Sequence, residues 1–109
     1  MKKQLKSSGN GWVLAFSKSL LKILGYNPND IRVLMTVKNG ILYIQPIKDE
    51  DLEKYTNNMV RKFQKNGGGY GLYFPTTMLE ILNVNPEQDF LDIEIDEDKL
   101  IIKKANYDE

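Results

Sequence analysis

The chain has 109 residues, with 15 basic and 15 acidic side chains, so its formal net charge is zero. It has no cysteine and no histidine, which excludes disulfides and thiolate metal sites and removes the commonest general base, serine-triad partner and zinc ligand. The length fits one ordinary domain, and no apolar run approaches the roughly 18–20 residues of a membrane span.

The basic start MKKQLKSSGNG carries no apolar stretch of the signal-peptide kind. The expectation is a cytoplasmic, non-enzymatic protein with no cofactor and no membrane association. Leu5, between Gln4 and Lys6, reads as the centre of a short first strand. Gly9 and Gly11 follow and permit a sharp reversal. The run from Trp12 to Phe16 alternates and puts Leu14 and Phe16 on one face. Ser17 then reads as the N-cap of a short helix with a stripe of Leu20, Leu21, Ile23 and Leu24, closed by Gly25. Asn27-Pro28 is a turn that blocks continuation of that helix. Residues 31–37 and 41–45 flank Asn39-Gly40, a favoured two-residue hairpin turn.

The polar stretch 48–58, KDEDLEKYTNN, reads as a linker with one possible helical turn around Leu52 and Tyr55. Fully extended, it reaches roughly 35 Å. The element order then begins again. Phe63 lies between Lys62 and Gln64, glycines follow at 67, 68, 69 and 71, and Leu72 and Phe74 share a strand face. Thr77 and Glu80 have capping-box spacing, and Asn83 takes the C-terminal position of a second helix. Asn85-Pro86 turns the chain. Ile93 and Ile95 alternate with Asp92, Glu94 and Asp96 before a return strand from Leu100 to Ile102.

The second series repeats the first at an offset of 58 residues without a gap. Identical pairs include Gly9/Gly67, Leu14/Leu72, Phe16/Phe74, Leu21/Leu79, Ile23/Ile81, Leu24/Leu82, Asn27/Asn85 and Ile44/Ile102. A repeat of about 50 residues is near the lower limit for burying its own core. The two copies are therefore expected to share one. The predicted organisation is a first β-β-α-β-β repeat at 1–47, a linker at 48–58 and a second repeat at 59–109. The fold class is mainly β with two short helices.

Charge is segregated beneath the zero total. Residues 1–22 sum to +5, residues 59–66 to +3 and residues 80–109 to −7. The lead-in of each copy is basic, which suits an anionic partner on one face. The glycine run 67–71 lacks the Lys-Ser/Thr that follows a phosphate-cradling loop. Asp92, Glu94 and Asp96 fit a half-exposed strand better than a metal site. Trp12 and Tyr70 occupy equivalent positions and read as packing residues before base-stacking platforms. Ser17 and Ser19 have no activating partner for nucleophilic chemistry.

A basic strand, GNGW (9–12), an apolar strand, FSKSLLKILG (16–25), an Asn-Pro turn and the hairpin ending ILYIQPI (41–47) come in this order, and FPTTMLEILNVNP (74–86) repeats the middle of it. This order resembles the SpoVT-AbrB family of swapped-hairpin β-barrels, most closely the MazE-type antitoxin N-terminal domain, over nearly the whole chain. The resemblance implies one barrel built by both copies as an intrachain pseudo-dimer, either as a monomer or in a homodimer. It implies a DNA-binding transcription regulator that meets double-stranded DNA through its basic first strands. The residues carried over are Lys3, Lys6 and Asn10 in the first copy and Arg61, Lys62 and Lys65 in the second. The family's second-strand Arg is replaced by Ala15 and Tyr73, which thins that contact set. The family's long toxin-binding tail corresponds here only to Ala105 to Glu109. The alternative expectation is an antitoxin or other protein-interaction module with weak or no DNA binding. Its toxin or other partner would then engage the linker acids 49–53 or the hairpin 92–98.

Overall fold

A computed structural model of the chain describes residues 1–9, 11–27, 29, 32–55 and 60–105. The expected turn at Pro28, the expected contact Asn10, the linker residues 56–58 and the tail 106–109 lie outside these. The structure is mainly β with two short helices. Its first half contains β1 (Lys2–Gln4), β2 (Lys6–Ser8), β3 (Gly11–Phe16), α1 (Lys18–Leu24), β4 (Arg32–Lys38) and β5 (Ile41–Ile47). A 3-10 helix at Asp49–Lys54 begins the connector. The second half contains β6 (Val60–Lys62), β7 (Gln64–Asn66), β8 (Gly69–Phe74), α2 (Thr76–Leu82), β9 (Phe90–Asp96) and β10 (Lys99–Lys104). Among the described residues no helix is long and apolar enough to cross a membrane.

The strands form two antiparallel sheets. One has six strands in the order β1-β9-β10-β5-β4-β6, and the other four in the order β2-β3-β8-β7. The first strand of each half is expected as one piece and is found as two. It breaks at Leu5 and at Phe63, both buried, so that one segment edges the large sheet and the next edges the small one. A single apolar residue turned into the core at the break anchors the strand where it leaves one sheet for the other.

The pairings are symmetric under the offset seen in the sequence. Leu14 lies opposite Leu72 in β3–β8, and Tyr43 opposite Ile101 in β5–β10, each residue facing its own counterpart. Lys3 pairs with Leu91 in β1–β9, and Arg61 with Val33 in β4–β6. The first strand of each half therefore completes the hairpin of the other half. A single core runs through both, with Leu14, Phe16, Leu42, Ile44, Leu72, Phe74, Leu91, Leu100 and Ile102 all essentially inaccessible. Phe63 adds an edge-to-face contact on Phe16 at 5.5 Å between centroids, a favoured aromatic arrangement.

Local chemistry explains the helix ends. Ser17 caps α1, its hydroxyl accepting from the Leu20 amide at 3.0 Å. Gly25 and Asn83 close the two helices in the left-handed conformation, at φ 78° and 57°. The expected capping box at Thr77 and Glu80 does not form. Pro75 stands at the N-cap with no side-chain bond, because its ring presets the entry to the helix and Thr77 already lies inside it. Ser17→Ala is thus expected to destabilise the fold by about 0.5–2 kcal/mol, while Thr77→Ala stays within about 0.5 kcal/mol of the parent. Urea unfolding of the two variants side by side checks this, and equal losses would contradict it.

The helical stripe also needs correction. Leu20, Leu21 and Leu24 are buried, but Ile23 is 76% exposed and its counterpart Ile81 59%. At about 100° per residue, Ile23 falls outside the arc that the three leucines span, and a two-turn helix packed on a small sheet has room for only that arc. Ile95, expected inside with Ile93, is exposed near the strand end. The first hairpin turns at Asn39 and Gly40 with φ 53° and 77°, the pair of positive values that a tight hairpin requires. The second turns at Glu97 and Asp98, with Glu97 at φ 58°. The Tyr26 hydroxyl donates to the Asp98 carbonyl and ties the end of α1 to that far hairpin. Burial first, and the Asp98 charge second, hold this hydroxyl protonated well above its ordinary range.

Candidate nucleic-acid interface

The four-stranded sheet separates the charges of the molecule. Its strands read KSS, GWVLAF, GYGLYF and QKN; they contain two lysines and no carboxylate. All the strand carboxylates, Asp92, Glu94 and Asp96, stand on β9 in the other sheet. There Asp92 and Asp96 lie opposite Lys103 and Lys99, and Asp92 is also 3.7 Å from the chain's terminal ammonium. Among the described residues no group of three or more ligating side chains is placed to hold a metal ion.

Strand alternation and register assign the faces of the small sheet. Leu14, Phe16, Leu72 and Phe74 point into the core. Val13 and Tyr73 are opposite one another and face out, with Lys6 beside Val13 on the same row. The row of Ala15 and Gly71 continues to Gln64. The outer surface is thus built from small residues, with Tyr73 lying across Gly11. A Cβ added at Gly11 meets that ring at 2.2 Å. The reversals at Gly9 and Gly67, with φ 60° and 62°, close two ends of the sheet.

Of the cations expected at the interface, Lys6 alone sits on the outward row, and it is exposed. Lys65 is exposed at the opposite edge, paired with Tyr70 and therefore on the alternate face. The strands β2 and β7 that bear them are about 14 Å apart, three strand spacings. Lys3 and Arg61, equivalent under the 58-residue offset, both turn inward. They face the buried Leu91 and Val33, and both are half-buried. The Lys3 ammonium donates to the Ala15 carbonyl at 2.8 Å and lies 5.8 Å from the centre of the Phe16 ring. Burial, and then the nearby Lys6 charge, lower its pKa. Arg61 donates to the Val60 carbonyl at 3.4 Å. Lys62 belongs to the six-stranded sheet, opposite Arg32.

The five cations expected on one face thus stand on four edge strands, β1 and β6 of the large sheet and β2 and β7 of the small one. Arg32, opposite Lys62, is not among them. The available signal was the comparison of copies, since an arginine there corresponds to Phe90 and breaks the apolar matching. Trp12 and Tyr70 are partly buried against the core, as packing residues. Chemically, the small sheet offers an acid-free surface with ammonium groups at its rims. Exposed backbone at Gly9 and Gly67–Gly68 adjoins it. No protein-family model, curated protein or solved structure matches this chain.

Proposed function

We propose that the chain is a DNA-binding transcription regulator of the SpoVT-AbrB/MazE type, in which two tandem units form one swapped-hairpin barrel and the four-stranded sheet lies on duplex DNA. One observation carries the reading: that sheet has no carboxylate on any strand while lysines mark both its edges. A polyanion is attracted to such a surface and repelled by the acidic β9 on the other sheet. Lys6 and Lys65 act as phosphate contacts, which position the protein and set affinity. Tyr73 and Gln64 on the outer face are the groups available for base edges. Lys3 serves the barrel by bracing β3.

Fluorescence polarisation with DNA from upstream of its own gene tests this. The slope of log affinity against log salt is expected to flatten by about 2 when Lys6→Ala and Lys65→Ala are combined, about 1 for each lost phosphate contact. An unchanged slope sinks the proposal. A second reading, a protein-interaction module of the antitoxin kind, is favoured by the acidic ladder of β9 and by Ala15 and Tyr73, which leave the outer face without a guanidinium. Co-purification with a toxin-like neighbour, lost on Glu94→Lys and not on Lys6→Ala, distinguishes it.

A further inference from the structure

Ile23 and Ile81 hold the same place in α1 and α2, and more than half of each residue faces solvent. Around them the exposed positions of the two helices differ: Lys18 corresponds to Thr76, Ser19 to Thr77 and Lys22 to Glu80. Isoleucine alone is common to both exposed faces. A β-branched residue is a weaker helix former than leucine, lysine or glutamate. Local helix formation therefore does not call for isoleucine at either place, and the core does not receive it.

The charges beside the isoleucines are opposite. At about 100° per residue, Lys22 and Ile23 border one exposed arc with Ser19 between them. Glu80, Ile81 and Thr77 repeat that arc on α2. When two such helices cross antiparallel, a local two-fold axis brings the isoleucines together on one side of the contact. It brings the residues before them together on the other side. Pairing α1 with α1 sets Lys22 against Lys22, and pairing α2 with α2 sets Glu80 against Glu80. Only α1 with α2 sets a lysine against a glutamate. Helix α1 carries two lysines and no acid, and α2 one glutamate and no base. Among the described residues neither Lys22 nor Glu80 takes part in an ion pair within the chain. The short side chains of Ser19 and Thr77 let the axes approach to the usual distance of about 8–10 Å.

We propose that α1 of one copy of this chain docks on α2 of another, with Ile23 packed against Ile81 and Lys22 paired with Glu80. The two surfaces differ, so the contact is heterologous and joins copies head to tail. Such a contact closes into a small ring or extends, according to the rotation between neighbours. Like-charge repulsion counts against the two same-helix pairings and so fixes the partner. A contact between two seven-residue helices is small beside the roughly 800 Å² per partner of a stable complex. Association is therefore weak, with a dissociation constant of about 10 μM to 1 mM. The inference does not depend on the DNA reading, because neither helix belongs to the acid-free sheet.

Sedimentation equilibrium of the full chain, over the same concentration range, tests it. The weight-average mass is expected to rise above the 12.6 kDa of one chain as concentration increases. It should rise less at about 1 M salt, where exposed charges are screened. Ile23→Ser and Ile81→Ser alter exposed positions, so each is expected to melt as the parent does and to weaken association at least tenfold. Lys22→Glu gives a copy with two acids, and Glu80→Lys a copy with two bases. Each alone should associate less than the parent, while an equimolar mixture of the two should recover the parent's association. Lys38→Ala, at an exposed lysine on β4, leaves association unchanged. The inference is overturned if the chain stays monomeric throughout, if either isoleucine variant associates as the parent does, or if the mixture associates no better than its components.

Discussion

Phe74→Ala is expected to leave much of the population unfolded. The ring is fully buried in the core shared by both halves. Its removal takes away transfer free energy and leaves a cavity, together worth about 3–5 kcal/mol. A domain of this size has a total stability of only about 5–15 kcal/mol. The equivalent Phe16→Ala should cost at least as much, because Phe16 also carries the edge contact from Phe63 and lies under the Lys3 ammonium. Urea unfolding should show midpoints lower by about 1–5 M, given a slope of about 1–3 kcal/mol per molar. The double variant should lose less than the sum, since both rings border the same core and leave one merged void. A loss below about 1 kcal/mol for either single change contradicts the shared core.

The second large effect separates two glycines that the sequence presents as equivalents. A Cβ at Gly69 comes within 2.6 Å of the Phe16 carbonyl oxygen, and one at Gly11 within 2.2 Å of the Tyr73 ring. The shorter contact is the cheaper one. Backbone at the centre of a sheet cannot withdraw, whereas the Tyr73 side chain is 39% exposed and can swing toward solvent. Gly69→Ala is expected to cost about 1–3 kcal/mol, the range of an overpacked site. Gly11→Ala should cost less, and combining it with Tyr73→Ala should recover most of the loss. Thermal melting of the four proteins decides the matter. Equal losses for the two single variants, or no recovery in the double, would show that the outer face is not arranged as described.

Much of this arrangement is legible in the chain. The 58-residue offset anticipates a common core, and Leu14 does face Leu72. Ser17, Gly25, Asn83 and the Asn39-Gly40 turn act where their chemistry indicates. What escapes is whatever depends on the partner of a short strand. Lys3 and Arg61 sit in three-residue segments, too brief for alternation to declare a face. Their orientation is decided by β9 and β4, which belong to the opposite halves. The pairing of Arg32 with Lys62 is invisible for the same reason. Ile23 misleads because seven helical residues contain too little of the 3.6-residue period to separate core from rim. The capping box at Thr77 loses to a proline two residues earlier, whose fixed backbone angle starts the helix sooner.

The exchange of first strands sets an order of events during synthesis. Lys2 pairs with Asp92, so β1 is made long before its neighbour exists. At about 5–20 residues per second the delay is on the order of 5–20 seconds. In the first half only the hairpin of β4 and β5 and the early ladder of β2 and β3 have their partners at hand. Both keep an apolar face uncovered until β8 and β10 emerge. Closure then comes last and nearly at once, as β9 takes up β1 and the terminal ammonium donates to the Ile93 carbonyl at 3.1 Å. Such a nascent chain depends on whatever shields its unpaired edges on the ribosome. For that interval the unpaired strand edges and apolar faces are open to aggregation.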